Sequence, residues 1–451
     1  MAHGIRAARL AATPRSDWWL PALMAAGLLV GAVGLTLGAP RVDPAWAARQ
    51  CFSLLPLPRG FEILFGCDGF TFLRRAVEPS LLLEPRFAPP TDFTYQSRPA
   101  QIGVAAVLAR VLQPVVAPLV PAETRYQGRT PIRRYAGAYA AYVLINGALL
   151  VVAGLACHDA LLGRRPAGPR EAPALLAGLA FVSLSGIVRA WLLTPHTILR
   201  GLVVPLWALA VGRRILDRAA AGGVATTLRA SAASGLATLA YGFAVLVPVV
   251  APVALGHRVR VDQAPPDRPW RRLAPVALGA SLLAVLPTVG WIALSHAVAG
   301  GFYSHEVAGY RQFRWLWDAL GLGLPATYQA AASRAGAWAR LLADQWLEPT
   351  LFLTGLVAVT LATGASLRRF AEAQRALLEA AALVLVLGPV FWYLNGEMGT
   401  TRAATLAPVI QVVAAALALD LDRRGRGVRW SSLLAVVTLA WGVRSMLRPL
   451  G

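Results

Sequence analysis

Lysine is absent from this 451-residue chain, and charge of either sign is scarce. Charged residues make up 14% of the sequence against 57% hydrophobic, where an ordinary soluble domain carries about 25% charged residues. That shortage excludes a soluble globular protein and points to an integral membrane protein. The charge that remains is lopsided: 43 basic residues, all arginine, against 22 acidic ones give a formal charge of +21. A basic surplus can signal nucleic acid. Here the arginines collect in short connectors between apolar segments, where the positive-inside rule expects them, so no nucleic-acid partner is expected. Also missing are a Walker loop, a Rossmann fingerprint, a Gly-x-Ser-x-Gly elbow and a kinase motif set, which argues against nucleotide-driven chemistry. No repeat of fixed period stands out, as it would in many transporters.

What is present is a series of apolar segments near the roughly 20 residues that cross a bilayer. The first, Trp18 to Ala39, follows a basic tail and exceeds the roughly 7 to 15 apolar residues of a signal peptide, so it reads as a retained anchor. Others run at about Tyr135–Cys157, Ala172–Leu193, Thr197–Leu216, Thr226–Tyr241, Phe243–Leu255, Leu273–Val298, Pro349–Ser366, Leu377–Leu394, Ala403–Leu419 and Trp430–Leu447. The expected fold is therefore an all-α, polytopic integral membrane protein with about eleven transmembrane helices. With the N-terminus cytoplasmic, five arginine-rich connectors fall on the cytoplasmic side, as the rule requires. The organisation expected is a tail (1–17), a first span (18–39), an outer loop (40–134), a transmembrane core (135–298), a second outer loop (299–348) and C-terminal spans (349–451).

Two stretches test that topology. Gln101 to Pro121 is apolar, but Arg110, Gln113 and three prolines interrupt or follow it. It reads as a helix in the outer interface, with Val104, Val107, Leu108, Val111 and Leu112 on one face. Arg229 to Arg258 has arginines at both ends and reads as a hairpin of two short helices turning near Tyr241-Gly242.

This layout resembles the GT-C glycosyltransferases, membrane enzymes that use polyprenyl-phosphate sugars. "CDGFTFLRRAVEP" is similar to their acidic first-loop signature, "YQSRPAQIGVAAVLARVL" to the Arg-Pro entry into their in-plane helix, and "RASAASGLATLAYGFAVLVP" to their glycine-rich hairpin. The likeness covers roughly Trp18 to Val298. It departs where many relatives have two neighbouring acids, since Glu78 is the nearest acid downstream here, and no soluble C-terminal domain follows. The resemblance implies a bacterial cytoplasmic-membrane enzyme with a polyprenyl-phosphate sugar as donor, a glycan, lipid or protein as acceptor, and membrane lipid as its surroundings. No cofactor is expected. Some relatives use a divalent cation with a paired acid motif, which this chain lacks, and neither His-x-x-x-His nor Cys-x-x-Cys spacing occurs. A multi-span transporter and an O-antigen-type polymerase or ligase are the competing readings.

Each candidate residue has a functional and a structural reading. Asp68 is either the general base for an acceptor hydroxyl or an N-cap for the short helix starting near Phe70. Arg402 suits a lipid phosphate, because its planar fork binds oxygens in pairs; otherwise it anchors at the interface or pairs with Glu397. Arg189 and Arg200 flank an outer turn and are further donor-binding candidates, relieved otherwise by snorkelling. Between them His196 either serves the donor or caps the next helix. Glu78, Arg98, His305, Glu306 and Tyr310 are candidates for substrate binding, the last three equally read as a solvated helix. Cys51 and Cys67 share the outer loop and form either a disulfide or two small buried thiols. Cys157 reads as packing.

Overall fold

The computed structural model describes residues 19–39, 42–49, 52–56, 62–66, 68–83, 98–122, 125–126, 130–163, 165–217, 222–262, 269–302, 304, 312–396, 399–425 and 428–448. Helix α1, Trp19–Gly38, leads through a short α2, Pro44–Arg49, into an antiparallel hairpin of β1, Phe52–Pro56, and β2, Glu62–Gly66, with Phe52 opposite Gly66. Then come α3, Gly69–Val77, and α4, Pro99–Val116. The remaining helices are α5 (Ala136–Leu162), α6 (Ala172–Ser183), α7 (Gly186–Trp191), α8 (Arg200–Leu216), α9 (Gly223–Thr238), α10 (Leu246–Asp262), α11 (Pro269–Ala299), α12 (Arg314–Gly321), α13 (Leu324–Ala362), α14 (Leu367–Ala373), α15 (Arg375–Asn395), α16 (Thr400–Ala404), α17 (Ala407–Arg424) and α18 (Trp430–Leu447). Among the described residues nine helices are long and apolar enough to cross a membrane. The chain is an all-α polytopic membrane protein, and the β1–β2 hairpin and a two-residue ladder, Arg125–Tyr126 with Thr130–Pro131, are its only described strands.

Helix α17 is the centre of the bundle and is buried along nearly its whole length, with α6, α13 and α18 packed around it. A helix enclosed on all sides has to be apolar all round, and its one mid-helix amide, Gln411, is matched by a hydrogen bond from Nε2 to Thr438 Oγ1 of α18 at 3.1 Å. In lipid, helices associate through close backbone approach rather than through expulsion of water. Gly235 of α9 shows it: a β-carbon there would lie 2.3 Å from the Leu283 carbonyl oxygen of α11. Gly137 of α5 likewise faces the backbone of Ala109 and Gln113 on α4.

Helix α4 packs lengthwise on α5 with a face of Ile102, Ala105 and Ala109. Its opposite face, Val104, Val107, Val111 and Val115, is exposed. Tertiary packing departs from the sequence periodicity in three places. The span expected over Ala172–Leu193 breaks after Ser183 into α6 and α7, with the Ser185 hydroxyl accepting from Val188 N–H at 3.4 Å as the cap of α7. The span expected to begin at Pro349 is the last part of α13, which starts well before it, at Leu324. The alanine-rich stretch before it is a strong helix former, and Trp338 and Trp346 tie it down by donating to the carbonyls of Pro389 and Ala403, both at 3.0 Å. The hairpin strands had no counterpart in the expected fold. Cys157 is buried and free, packed against Gly178 of α6.

Candidate functional site

The site is built around the turn between α7 and α8. Pro195 removes a backbone donor there and stops the helix. The carbonyls this exposes are taken up by side chains of neighbouring elements. Asn146 Nδ2, on α5, reaches the carbonyls of Trp191, Leu192 and Thr194 at 3.1, 3.1 and 2.9 Å. Tyr139 donates to Leu193 O at 2.8 Å, and Thr194 Oγ1 donates to Leu64 O of β2 at 2.6 Å. A turn fastened at this many points holds its next residue, His196, in a fixed place.

His196 lies against Trp191, ring centroids 4.6 Å apart, and takes the Phe72 ring edge-on at 5.5 Å. Its Nδ1 accepts from Ile198 N–H at 3.2 Å. In the neutral ring the proton is therefore on Nε2, which lies 3.8 Å from Asp68 Oδ2, just beyond hydrogen-bond range. Burial holds the imidazole below its usual pKa; Asp68 pulls the other way, and the charges of Arg98 and Arg402 oppose protonation.

Asp68 occupies the N-cap position of α3, with φ −74° and ψ −15°. Its backbone carbonyl accepts from Phe72 N–H at 3.1 Å, but its side chain makes no capping bond. The carboxylate is a quarter exposed and turns toward His196 instead.

Three of the four arginines in question converge here. Arg98, just ahead of α4, donates to Thr197 Oγ1. Gln101 on the next turn of α4 donates from Nε2 to His196 O at 3.3 Å and accepts at Oε1 from Arg200 Nε at 2.8 Å. The start of α4 is itself fastened to the α9–α10 turn, by Ala100 N–H to Leu239 O at 3.1 Å. That turn presents Tyr241, whose hydroxyl accepts from Arg402 at 2.5 Å. The Arg402 guanidinium lies 4.6 Å from the centroid of the Trp392 ring, a cation–π contact. Chain segments distant in sequence thus meet as one cluster of a carboxylate, an imidazole and three guanidinium groups.

Two other candidates lie apart. Arg189 of α7 is buried and donates to the carbonyl of Arg448 just past α18. Glu78 pairs with Arg134 at the far end of α3 from Asp68, about 13 Å along the helix. His305, Glu306, Tyr310, Cys51, Cys67 and Glu397 lie outside the described residues. Among the described residues no three His, Cys, Asp or Glu side chains group as metal ligands. Sequence reasoning assigned no role to Trp191, Gln101, Thr197, Tyr241 and Trp392. Tyr241 had a signal, its position at the expected hairpin turn; the others become visible only when the chain is folded. Comparison with family models, with curated proteins and with solved structures gives no match for this chain.

Proposed function

We propose that this protein is a membrane-embedded glycosyltransferase that moves a sugar from a polyprenyl-phosphate carrier to an acceptor hydroxyl on the outer face of a bacterial cytoplasmic membrane. The observation that carries this reading is the Asp68 carboxylate, turned away from the cap it is placed to make and toward His196, whose surroundings include Arg98 and Arg402.

The acceptor oxygen attacks the anomeric carbon as the bond from that carbon to the phosphate oxygen breaks. The acceptor proton passes to Asp68, a role that needs only a carboxylate within hydrogen-bond reach. The departing lipid phosphate carries the negative charge away, and Arg402, with Arg98 and Arg200, stabilises it there. His196 stands beside the carboxylate, with Nε2 3.8 Å from Oδ2. The exposed valine face of α4 and the exposed Leu282, Val285 and Val289 of α11 offer apolar surface for the polyprenyl chain.

Orientation follows from charge. The end of the bundle opposite Asp68 carries Arg213, Arg258, Arg368, Arg375 and Arg423, so it faces the cytoplasm, and the N-terminus with it. An eleven-crossing count omits α4 and includes α6, α8 and α9, which have 12, 17 and 16 residues.

The test is consumption of a panel of labelled polyprenyl-phosphate sugars by the full chain reconstituted in lipid, with and without cell-envelope acceptors. One donor is expected to be consumed, with turnover lost in Asp68→Asn at equal folded yield while donor binding persists. A fully active Asp68→Asn moves the base elsewhere. If wild type consumes no donor, the transporter and polymerase readings move ahead.

A further inference from the structure

Beside the Asp68 cluster, between α7, α13, α16, α17 and α18, lies a cavity of about 500 Å³. That volume suits a small organic ligand. Its wall nearest the cluster is Trp191, the same ring that contacts His196. Its floor includes Thr400 and Thr401, which precede Arg402 on α16. The cavity and the cluster therefore share structural members without sharing Asp68, His196 or Arg402.

The lining has a definite chemistry. Asp344 and Glu348 are one helical turn apart on α13 and both reach the cavity, so two carboxylates are offered from one face. Thr401 and Ser445 add hydroxyls, and Trp191 and Trp441 add flat apolar surface. Trp441 is held in place by stacking on Phe181, ring centroids 4.6 Å apart and planes 9° from parallel. Carboxylates accept the several O–H donors of a sugar ring, and an aromatic face covers its C–H side. Among the described lining residues these two acids face one guanidinium, Arg448, which disfavours an anionic ligand.

We infer that this cavity binds a neutral pyranose, the acceptor sugar if the glycosyltransferase reading holds. Its catalytic role rests on that reading, whereas its binding does not. Glu348 and Asp344 hold ring hydroxyls, Trp191 and Trp441 line the ring, and the reacting hydroxyl is delivered past Trp191 toward Asp68.

The test is titration of the full chain in lipid nanodiscs, read by tryptophan fluorescence and saturation-transfer NMR. The probes are the methyl glycosides of glucose, mannose and galactose, with glucuronic acid and calcium chloride as separate arms. Saturable binding of at least one neutral glycoside is expected. Glu348→Gln and Trp441→Leu, at equal folded yield by circular dichroism, each weaken it by about tenfold or more, as loss of a charge-assisted contact or an aromatic wall predicts. Arg375→Gln, on α15 and outside the cavity lining, keeps the affinity. The inference is overturned if no neutral glycoside binds, if binding survives unchanged in both cavity variants, or if only calcium or glucuronic acid produces the response. Glycoside binding without donor turnover in wild type sinks the glycosyltransferase reading and leaves the cavity standing; donor turnover with no glycoside binding does the reverse.

Discussion

The two ends of this bundle hold the same residue, arginine, in different company. At the end away from Asp68 several guanidinium groups sit in ion pairs, Arg368 with Glu372, Arg375 with Glu379, Arg424 with Asp420, each at i,i+4, and Arg423 with Glu171 across helices, while Arg213 and Arg258 donate to the carbonyls of Ala160 and Ile215. At the Asp68 end Arg98, Arg200 and Arg402 reach hydroxyl or amide oxygens of Thr197, Gln101 and Tyr241. In each of those contacts the arginine meets a neutral acceptor. Paired charge orients and solubilises; hydroxyl and amide acceptors fix where a guanidinium points.

Substitutions can break this contrast. If the proposed function holds, Asp68→Asn has the largest expected effect, a fall of about 10²–10⁴ in donor turnover, the usual contribution of a general base, measured with the full chain reconstituted in lipid. Arg402→Lys keeps the charge but loses the planar fork. A fall in kcat/KM of about 10–100-fold is expected, a smaller loss than for Asp68→Asn, and activity equal to wild type would remove Arg402 from the proposed phosphate site. His196 sharpens the comparison through pH. Its folded pKa is lowered, so the unfolded chain binds the extra proton as pH falls through about 6.5, and stability present above that value is lost on acidification. Thermal unfolding between pH 7.5 and 5 is expected to show wild type losing more stability than His196→Gln. At the other end, Arg375→Gln is expected to change stability by only about 0.3–0.5 kcal/mol, the scale of an exposed i,i+4 pair, with turnover untouched. A large effect there would erase the distinction between the ends.

The sequence made the polytopic architecture legible because hydrophobic length and arginine placement are local signals. Helix α18 runs from Trp430 to Leu447 as expected, and the α9–α10 turn falls at Tyr241. Length failed where packing decides the outcome. Nothing in the local pattern around Pro349 says that α13 continues back to Leu324, because the tryptophan donors that hold it find their carbonyls on α15 and α16. The site divides in the same way. Asp68, His196, Arg98, Arg200 and Arg402 stood out as charges or titratable groups in an apolar chain. Gln101, Thr197 and Trp191 did not, since an amide, a hydroxyl and an indole are unremarked anywhere in a membrane helix until a partner from another segment meets them.

Asn146 illustrates a different kind of dependence. One amide nitrogen with two hydrogens serves three carbonyls of the α7–α8 turn, from the buried face of a 27-residue helix. The turn therefore cannot open by itself: releasing it means exposing carbonyls inside the bundle or moving α5. Its amides are expected to exchange with the slow class of the helices rather than the fast class of surface loops, as hydrogen-exchange measurement would read. The part of the chain that positions His196 is a loop by shape and core by stability.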